Sequence, residues 1–520
     1  MTIKNIYFRP VWTCGRYDES TKSAIMYNLI AGFSFFFEDD SAEVIGLLLS
    51  IERGCSFKLQ DISSQTNISV DSINAFMEQL LDLGLLSSKE TDERLVSEYR
   101  KKLSNLDNAI INGGDELGGM PIPISDAEKA YIHRVNKKAA VVMMELTYNC
   151  SEQCIHCYNP GATRNNSERN HRGDRRKLTI DQYRRIIDEL DEEGTFLVCL
   201  TGGDPFSNPY AFDIIAYLYK KGIAFEIFTN GQSIYGKEAI VANYFPCYVA
   251  ISIYSTDAKI HDSITRREGS YAKSVAVLER FHDLHIPIII KCVIMQNNVR
   301  TYSGVAKLGE VLGAEVQFDC RLFDSSEGDK CVSTYLRLTP EQLRIAFRDK
   351  RSLYYVGSEA RDYGAIKHVL DEPACLTGFN NLCITPEGYV IPCCCFHAIL
   401  GDVTKQHIHE IVHENKLLDR LTSLNLSEYK ECGRHEYCDF CILCPGLNFS
   451  ENGNPKIASE NNCYYAKVRY QLYKDLQAGK DPLKGRLIEV ALKELPVHTE
   501  ALRHVNSESH YNEELSVSDL

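Results

Sequence analysis

The chain reads as an α/β protein. A parallel sheet curled as a partial (β/α)6 barrel of the TIM type is preceded by a winged-helix-like module and followed by a cysteine-rich module. Three observations predict this. Between 139 and 330, apolar strand runs and amphipathic helix patterns alternate six times. Before about residue 90, short aromatic and β-branched runs give way to helical patterns. After 375, ten of the twenty cysteines fall within 89 residues. The ranges that follow are 1–90 for the first module, 91–138 for a linker and 139–330 for the barrel. A bridging region spans 331–374, the cysteine-rich module 375–496 and a polar tail 497–520.

Bulk properties narrow the function. Hydrophobic residues make up 44% of the 520 and charged ones 25%, enough for sizeable cores. No stretch of about 18 apolar residues exists, so no membrane span is expected. The N-terminus lacks a secretory pattern, which implies the cytoplasm. A net charge of −14 speaks against a nucleic-acid partner. In a large chain without a signal, twenty cysteines point to metal rather than disulfides.

In the first module, Asn5–Trp12, Ala24–Ile30 and Phe33–Phe37 read as strands. Helices are expected from Ser41, near Leu59–Thr66 and over Ser69–Leu83, the last with Ile73, Phe76, Met77 and Leu80 on one face and Gly84 as its stop. This last helix carries Asp71, Glu78 and Asp82 and no Lys or Arg, which excludes DNA-groove binding. The linker has a charged, helix-like piece over Glu93–Lys102 and Gly/Pro punctuation over Asn112–Pro123. The barrel's strands are expected near 141–147, 196–200, 224–228, 248–253, 287–294 and 315–319. Thr179 with Gln182 makes a capping box for a helix with Tyr183, Ile186, Ile187 and Leu190 on one face.

The chemistry centres on Glu145-Leu-Thr-Tyr-Asn-Cys150-Ser-Glu-Gln-Cys154-Ile-His156-Cys157-Tyr158, which follows the first barrel strand. Three thiolates at C-x3-C-x2-C can grip three corners of a cubane iron–sulfur cluster, and full ligation takes four cysteines, so one iron is left open. Zinc prefers paired C-x2-C hairpins and a closed shell. The spacing and the following aromatic resemble the signature of the radical S-adenosylmethionine (SAM) enzymes.

That resemblance implies a [4Fe–4S] cluster on Cys150, Cys154 and Cys157 whose open iron chelates the amine and carboxylate of SAM. Thr201-Gly202-Gly203-Asp204-Pro205 resembles the family's Gly-Gly-Glu-Pro motif, whose backbone holds the SAM amino group. Here the acid is the shorter Asp204. Thr229 and Asn230, in Phe228-Thr-Asn-Gly231, end the third strand in the family's manner. Ser252 is implied to contact the SAM ribose or carboxylate, and Arg266 or Arg267 to reach the carboxylate. Val293 and Met295 are candidates for the adenine wall, with plain core residues as the alternative. His156 takes the family's aromatic slot on the adenine side, and Tyr158 is the aromatic that closes the loop. The basic loop Arg164–Lys177 is a solvated loop or a docking element for an acidic partner.

The second cysteine field holds Cys375, Cys383, Cys393-Cys394-Cys395, Cys432, Cys438, Cys441, Cys444 and Cys463. A hairpin turning at Pro386-Glu-Gly388 is expected to present Cys383 and Cys393 to one site. The field resembles the SPASM extension, which carries two auxiliary [4Fe–4S] clusters. That implies Cys375, Cys383 and Cys393 at the first cluster and Cys438, Cys441 and Cys463 at the second. Cys432 and Cys444 complete the set in either order, while Cys394 and Cys395 are spare. The order C-x5-C-x2-C-x2-C departs from the usual spacing, and two zinc sites would fit the count equally well. The first module resembles the peptide-recognition element of ribosomal-peptide (RiPP) maturases, similar to the PqqD-like chaperone of pyrroloquinoline-quinone synthesis, where a leader peptide adds as a strand to a sheet edge.

Together these resemblances imply an enzyme that cleaves SAM reductively and crosslinks a ribosomal precursor peptide through a thioether, carbon–carbon or carbon–oxygen bond. A ferredoxin- or flavodoxin-type protein would supply the electron. Alternatives are a peptide epimerase, a formylglycine-forming sulfatase maturase and a non-enzymatic metal-bound docking protein. No catalytic acid or base stands out.

Overall fold

In a computed structural model of the chain, the described residues are 6–91, 94–98, 125–136, 138–159, 176–323, 335–357, 368–375, 377–497 and 516–517. The linker loop 112–123, most of the basic loop 164–177 and nearly all of the tail lie outside them. No helix among the described residues is long and apolar enough to cross a membrane.

The first module holds two small sheets. Strands β1 (Ile6–Phe8), β2 (Thr13–Asp18), β3 (Ser23–Asn28) and β4 (Phe33–Glu38) come first, and β2-β3-β4 form an antiparallel meander. The run expected as one strand over 5–12 is interrupted at Pro10, which cannot donate to a ladder, and a separate strand begins at Thr13. Helix α1 (Asp39–Ser50) follows, then β5 (Ser56–Lys58) pairs antiparallel with β1. Helices α2 (Leu59–Ser63) and α3 (Val70–Asp82) complete the unit. Ser69 caps α3, and Ile73, Met77 and Leu80 bury its apolar face against α1 and α2 residues. Among the described residues β4 pairs only with β3, so one edge of this aromatic strand carries no described partner.

The stretch expected as a linker carries a helix, α4 (Asp126–Val135), started by a capping box of Ser125 and Glu128. It wedges between the meander and the barrel. Tyr131 meets Phe36 on one side and Phe196 on the other, and Tyr27 donates to buried Glu128 at 2.5 Å. Trp12, Ile25, Tyr27 and Leu29 share one core with Ala140, Val141, Phe196, Leu197 and Ala224, all at the N-terminal ends of barrel strands. The first module therefore plugs the base of the barrel.

The barrel strands are β6 (Val141–Glu145), β7 (Leu197–Thr201), β8 (Ala224–Thr229), β9 (Val249–Ser252), β10 (Ile288–Val293) and β11 (Glu315–Asp319), each parallel to its neighbour. All six expected strands are present within a residue or two. The Thr179–Gln182 box caps a helix over Ile180–Glu192, whose Tyr183, Ile186, Ile187 and Leu190 are buried.

The sheet does not stop at 330. Strands β12 (Asn381–Ile384), β13 (Tyr389–Ile391) and β14 (Gly401–Asp402) extend it beyond β6, with β12 parallel to β6. The cysteine-rich region is thus continuous with the barrel through backbone hydrogen bonds. Arg176, at the end of the basic loop, is not a solvated cation: it forms a bidentate pair with Asp402 at 2.9 Å. That pairing holds the Asp402 carboxyl well below the usual carboxylate range although burial opposes it.

Inside the barrel, Glu226 on β8 is 2% exposed and accepts from Tyr248 Oη at 2.7 Å. Burial pushes its carboxyl well above the ordinary range, outweighing the Tyr248 bond and the Lys291 charge. The folded chain thus holds a proton that the unfolded chain releases at lower pH, and stability falls as pH rises through the interval between the two. Glu226→Gln is expected to flatten that decline, read from urea midpoints of the two proteins across pH.

Candidate active site

Cys150, Cys154 and Cys157 follow β6 at the C-terminal end of the sheet, where active sites of such barrels form. All three thiols are half-buried and within electrostatic reach of one another. Burial pushes Cys150 up to about 12, with Glu152 and Asp204 adding to the rise, though the Glu152 backbone amide opposes it. As thiolates they need a cation, which is the behaviour of metal ligands.

The loop is held from several sides. Gly202 and Gly203 admit the cluster loop's own backbone. A Cβ on Gly203 would stand 2.5 Å from Asn149 O and 2.6 Å from Tyr148 O, and one on Gly202 2.3 Å from Thr147 O. Gly202 also has φ +129°, which side chains rarely adopt. Gly203 N donates to Thr147 O and Asp204 N to Asn149 O. Asp204 is fully buried and accepts from Thr229 Oγ1 at 2.6 Å, tying the second strand's loop to the third. Asn230 Nδ2 donates to Cys150 Sγ at 3.2 Å. Hydrogen bonds to cluster sulfurs favour the more negative, reduced state. Asn230→Leu is therefore expected to lower the midpoint potential of the first cluster, checked by EPR-monitored redox titration.

Three further side chains complete this wall without having been legible as candidates. Tyr254, just past β9, stacks edge-on against His156 at 4.8 Å, and its hydroxyl lies beside Cys154 and Ser252. Glu152 reaches Ser270 Oγ and Cys154 Sγ. His261 accepts from Tyr254 N and meets Ser270 Oγ at 3.3 Å. His156 Nδ1 is buried with no hydrogen-bond partner among the described residues, and burial lowers the ring to about 4. A neutral imidazole with a spare nitrogen fits an adenine-side slot. Arg267 donates to Ser151 O at 2.7 Å, while Arg266 is exposed in the left-handed cap of the preceding helix. Val293 is half-buried beside Cys154 and Ile155, but Met295 is fully buried behind it and supports this wall rather than facing it. Tyr158 packs on Phe323, with Cys394, Cys395 and Cys157 within electrostatic reach.

The second cysteine field separates into two groups. Cys432, Cys438, Cys441 and Cys463 are all within mutual electrostatic reach. Cys375, Cys393 and Cys444 form the other group and line one cavity with Cys395, Arg321 and Phe323. Cys383, expected with Cys375 and Cys393, is within electrostatic reach of Cys393 but does not line that cavity. It is fully buried in the barrel core with Cys199 and Cys394. β13 ends at Ile391, opposite Cys383, and Cys393 bridges Phe396 just beyond it. Cys395, expected as spare, also lines this cavity. Among the described residues no trio of cysteine sulfurs lies within 4.8 Å. The donor sets, four thiols in one group and three in the other, suit iron–sulfur clusters.

Comparison with known proteins defines the class. Residues 144–301 match the Radical SAM superfamily, and residues 375–445 match SPASM, an iron-sulfur cluster-binding domain. Residues 144–301 thus form a radical SAM domain and residues 375–445 a SPASM domain, and the chain is an enzyme that binds SAM, a [4Fe–4S] cluster and auxiliary iron–sulfur clusters.

Its relatives are distant. The antilisterial bacteriocin subtilosin biosynthesis protein AlbA of Bacillus subtilis is 25% identical over 333 residues, which is 62% of this chain and 70% of AlbA. An AdoMet-dependent heme synthase of Methanosarcina barkeri is 22% identical over 358 residues, covering 62% of this chain and 96% of that one. The structure of Streptococcus suis SuiB bound to precursor peptide SuiA shares the fold at a TM-score of 0.52 and 12% identity, spanning 88% of this chain and 99% of SuiB.

Proposed function

We propose that this enzyme modifies a ribosomally made precursor peptide and closes a thioether, carbon–carbon or carbon–oxygen crosslink with net loss of two hydrogens, one leaving as an atom to the SAM-derived radical and the other as a proton to solvent with its electron passing to the auxiliary iron–sulfur site. The observation that carries the reading is the placement of three cysteine groups around the C-terminal end of one continuous sheet, with a strand-edged module at its base. AlbA is a bacteriocin biosynthesis protein, and SuiB binds the precursor peptide SuiA. With SAM bound, the first cluster supplies one-electron chemistry for hydrogen abstraction.

The residues divide the work. Cys150, Cys154 and Cys157 would hold the first cluster, and Gly202 and Gly203 fix the loop that carries them. His156, Ser252, Tyr254 and Val293 would frame SAM, with Asn230 bonded to a cluster sulfur. Cys432, Cys438, Cys441 and Cys463 form a complete four-thiolate set for one auxiliary cluster. Cys375, Cys393 and Cys444 supply three for the other, with Cys395 beside them. The Arg321 guanidinium lies near Cys375, Cys395 and Cys444, placing positive charge next to this site.

The first module would act as a PqqD-like, winged-helix recognition element. Strand β4 offers an aromatic edge with no strand partner among the described residues, beside α3, where Phe37 meets Phe76 at 5.9 Å, and a leader added there would gain main-chain hydrogen bonds. A ferredoxin- or flavodoxin-type donor would deliver the electron. The test is coexpression with candidate short precursors from neighbouring reading frames, followed by mass spectrometry of the peptide. Loss of two hydrogens supports a crosslink. An unchanged mass with inverted stereocentres would make the enzyme an epimerase, and an unmodified peptide would sink the reading.

A further inference from the structure

Away from both cysteine fields, Glu193, His409 and His413 bring three ligand atoms within 4.8 Å of one another. Glu193 caps the C-terminus of the barrel helix Ile180–Glu192, and the histidines lie on the short helix Ile408–His413 that follows the sheet extension. One carboxylate oxygen of Glu193 meets His409 Nδ1 at 2.8 Å and the other meets His413 Nε2 at 2.8 Å. The two imidazoles lie 4.5 Å apart between ring centroids.

Three features favour a bound cation here. The Glu193 side chain is only 10% exposed, so its charge is largely stripped of water. It stands where the helix macrodipole is negative, alongside Glu189 and Glu192, and the last turn has no basic residue of its own. The segment His409-Glu-Ile-Val-His413 sets two imidazoles at i and i+4, the H-E-x-x-H spacing that places both on one face toward zinc. With Glu193 the donor set becomes two histidines and a carboxylate, a known zinc combination with room for water as a fourth ligand. Both imidazoles stand at the surface, at 59% and 46% side-chain exposure, so the geometry supports a staple rather than a hydrolytic centre.

We propose that Glu193, His409 and His413 form a zinc site that fastens the SPASM region to the barrel. The seam is already polar: Ile408 N donates to Glu189 Oε2 at 2.9 Å, and Lys138 bonds Asp419 at 2.7 Å. A metal would lock it against rotation of the helix Ile408–His413. The inference does not depend on what the clusters do.

The test uses protein whose iron–sulfur sites are filled anaerobically, so that cysteines do not compete. After incubation with Zn2+ and gel filtration, wild type is expected to retain one zinc per chain and H409A/H413A none, with equal iron in both. E193Q is expected to retain less than wild type. Co2+ as a probe should give the spectrum of nitrogen and oxygen ligands, without thiolate charge transfer. Equal zinc in wild type and the double variant would overturn the proposal, as would a thiolate spectrum or a wild type that leaves the column without zinc.

Discussion

Gly203→Ala is expected to strip the protein of its first cluster while sparing the others. The added methyl would lie within 2.8 Å of three backbone atoms of Tyr148 and Asn149, none of which can rotate away. The loop bearing Cys150 must shift, and misplacement by about 1 Å at a reacting centre costs on the order of 100-fold in rate. Reductive cleavage of SAM should fall at least that far, with about four irons lost per chain and about eight kept. Retention of all the iron together with wild-type cleavage would show that the loop is not held by this contact.

Single cysteine replacements should sort into three outcomes, and this is the second large effect. Cys375→Ala, Cys393→Ala and Cys444→Ala are expected to empty one auxiliary site, and Cys432→Ala, Cys438→Ala, Cys441→Ala and Cys463→Ala the other. Cys383→Ala should leave the iron unchanged and cost stability alone, about 1 kcal/mol for removing a small buried apolar group. Iron quantitation with Mössbauer spectra of each variant gives the partition directly. Loss of a cluster in Cys383→Ala, or loss of the same cluster in Cys444→Ala and Cys463→Ala, would refute the grouping.

Much of this architecture could be read from residues alone, for identifiable reasons. The six strands were legible because both faces of a covered parallel sheet are apolar, so β6 or β10 stands out as a short, unbroken run. The capping box at Thr179 was equally plain, and Ser125 with Glu128 carries the same signal inside a stretch that reads as a linker. The sheet extension was hidden because β12 joins β6 across more than two hundred residues of sequence, and local pattern carries no long-range pairing. Cys383 shows the limit of spacing: a cysteine that a hairpin sets near Cys393 still lies in the barrel core with Cys199 and Cys394, which only the fold reveals. Tyr254, Glu152 and His261 were missed for a related reason, since a buried polar network looks like scattered ordinary residues until folding gathers it.

The docking of the first module against the N-terminal ends of the barrel strands sets a ruler for any substrate that uses both ends of the molecule. The cysteine loop opens on the opposite face, so a peptide anchored below must run along the outside wall before it can turn in. A strand of five residues with its flanking loops spans tens of ångströms, which extended chain covers at about 3.3–3.6 Å per residue. Roughly ten residues would then have to separate the anchor from the first carbon within reach, and precursors with a shorter tether would be gripped yet left untouched.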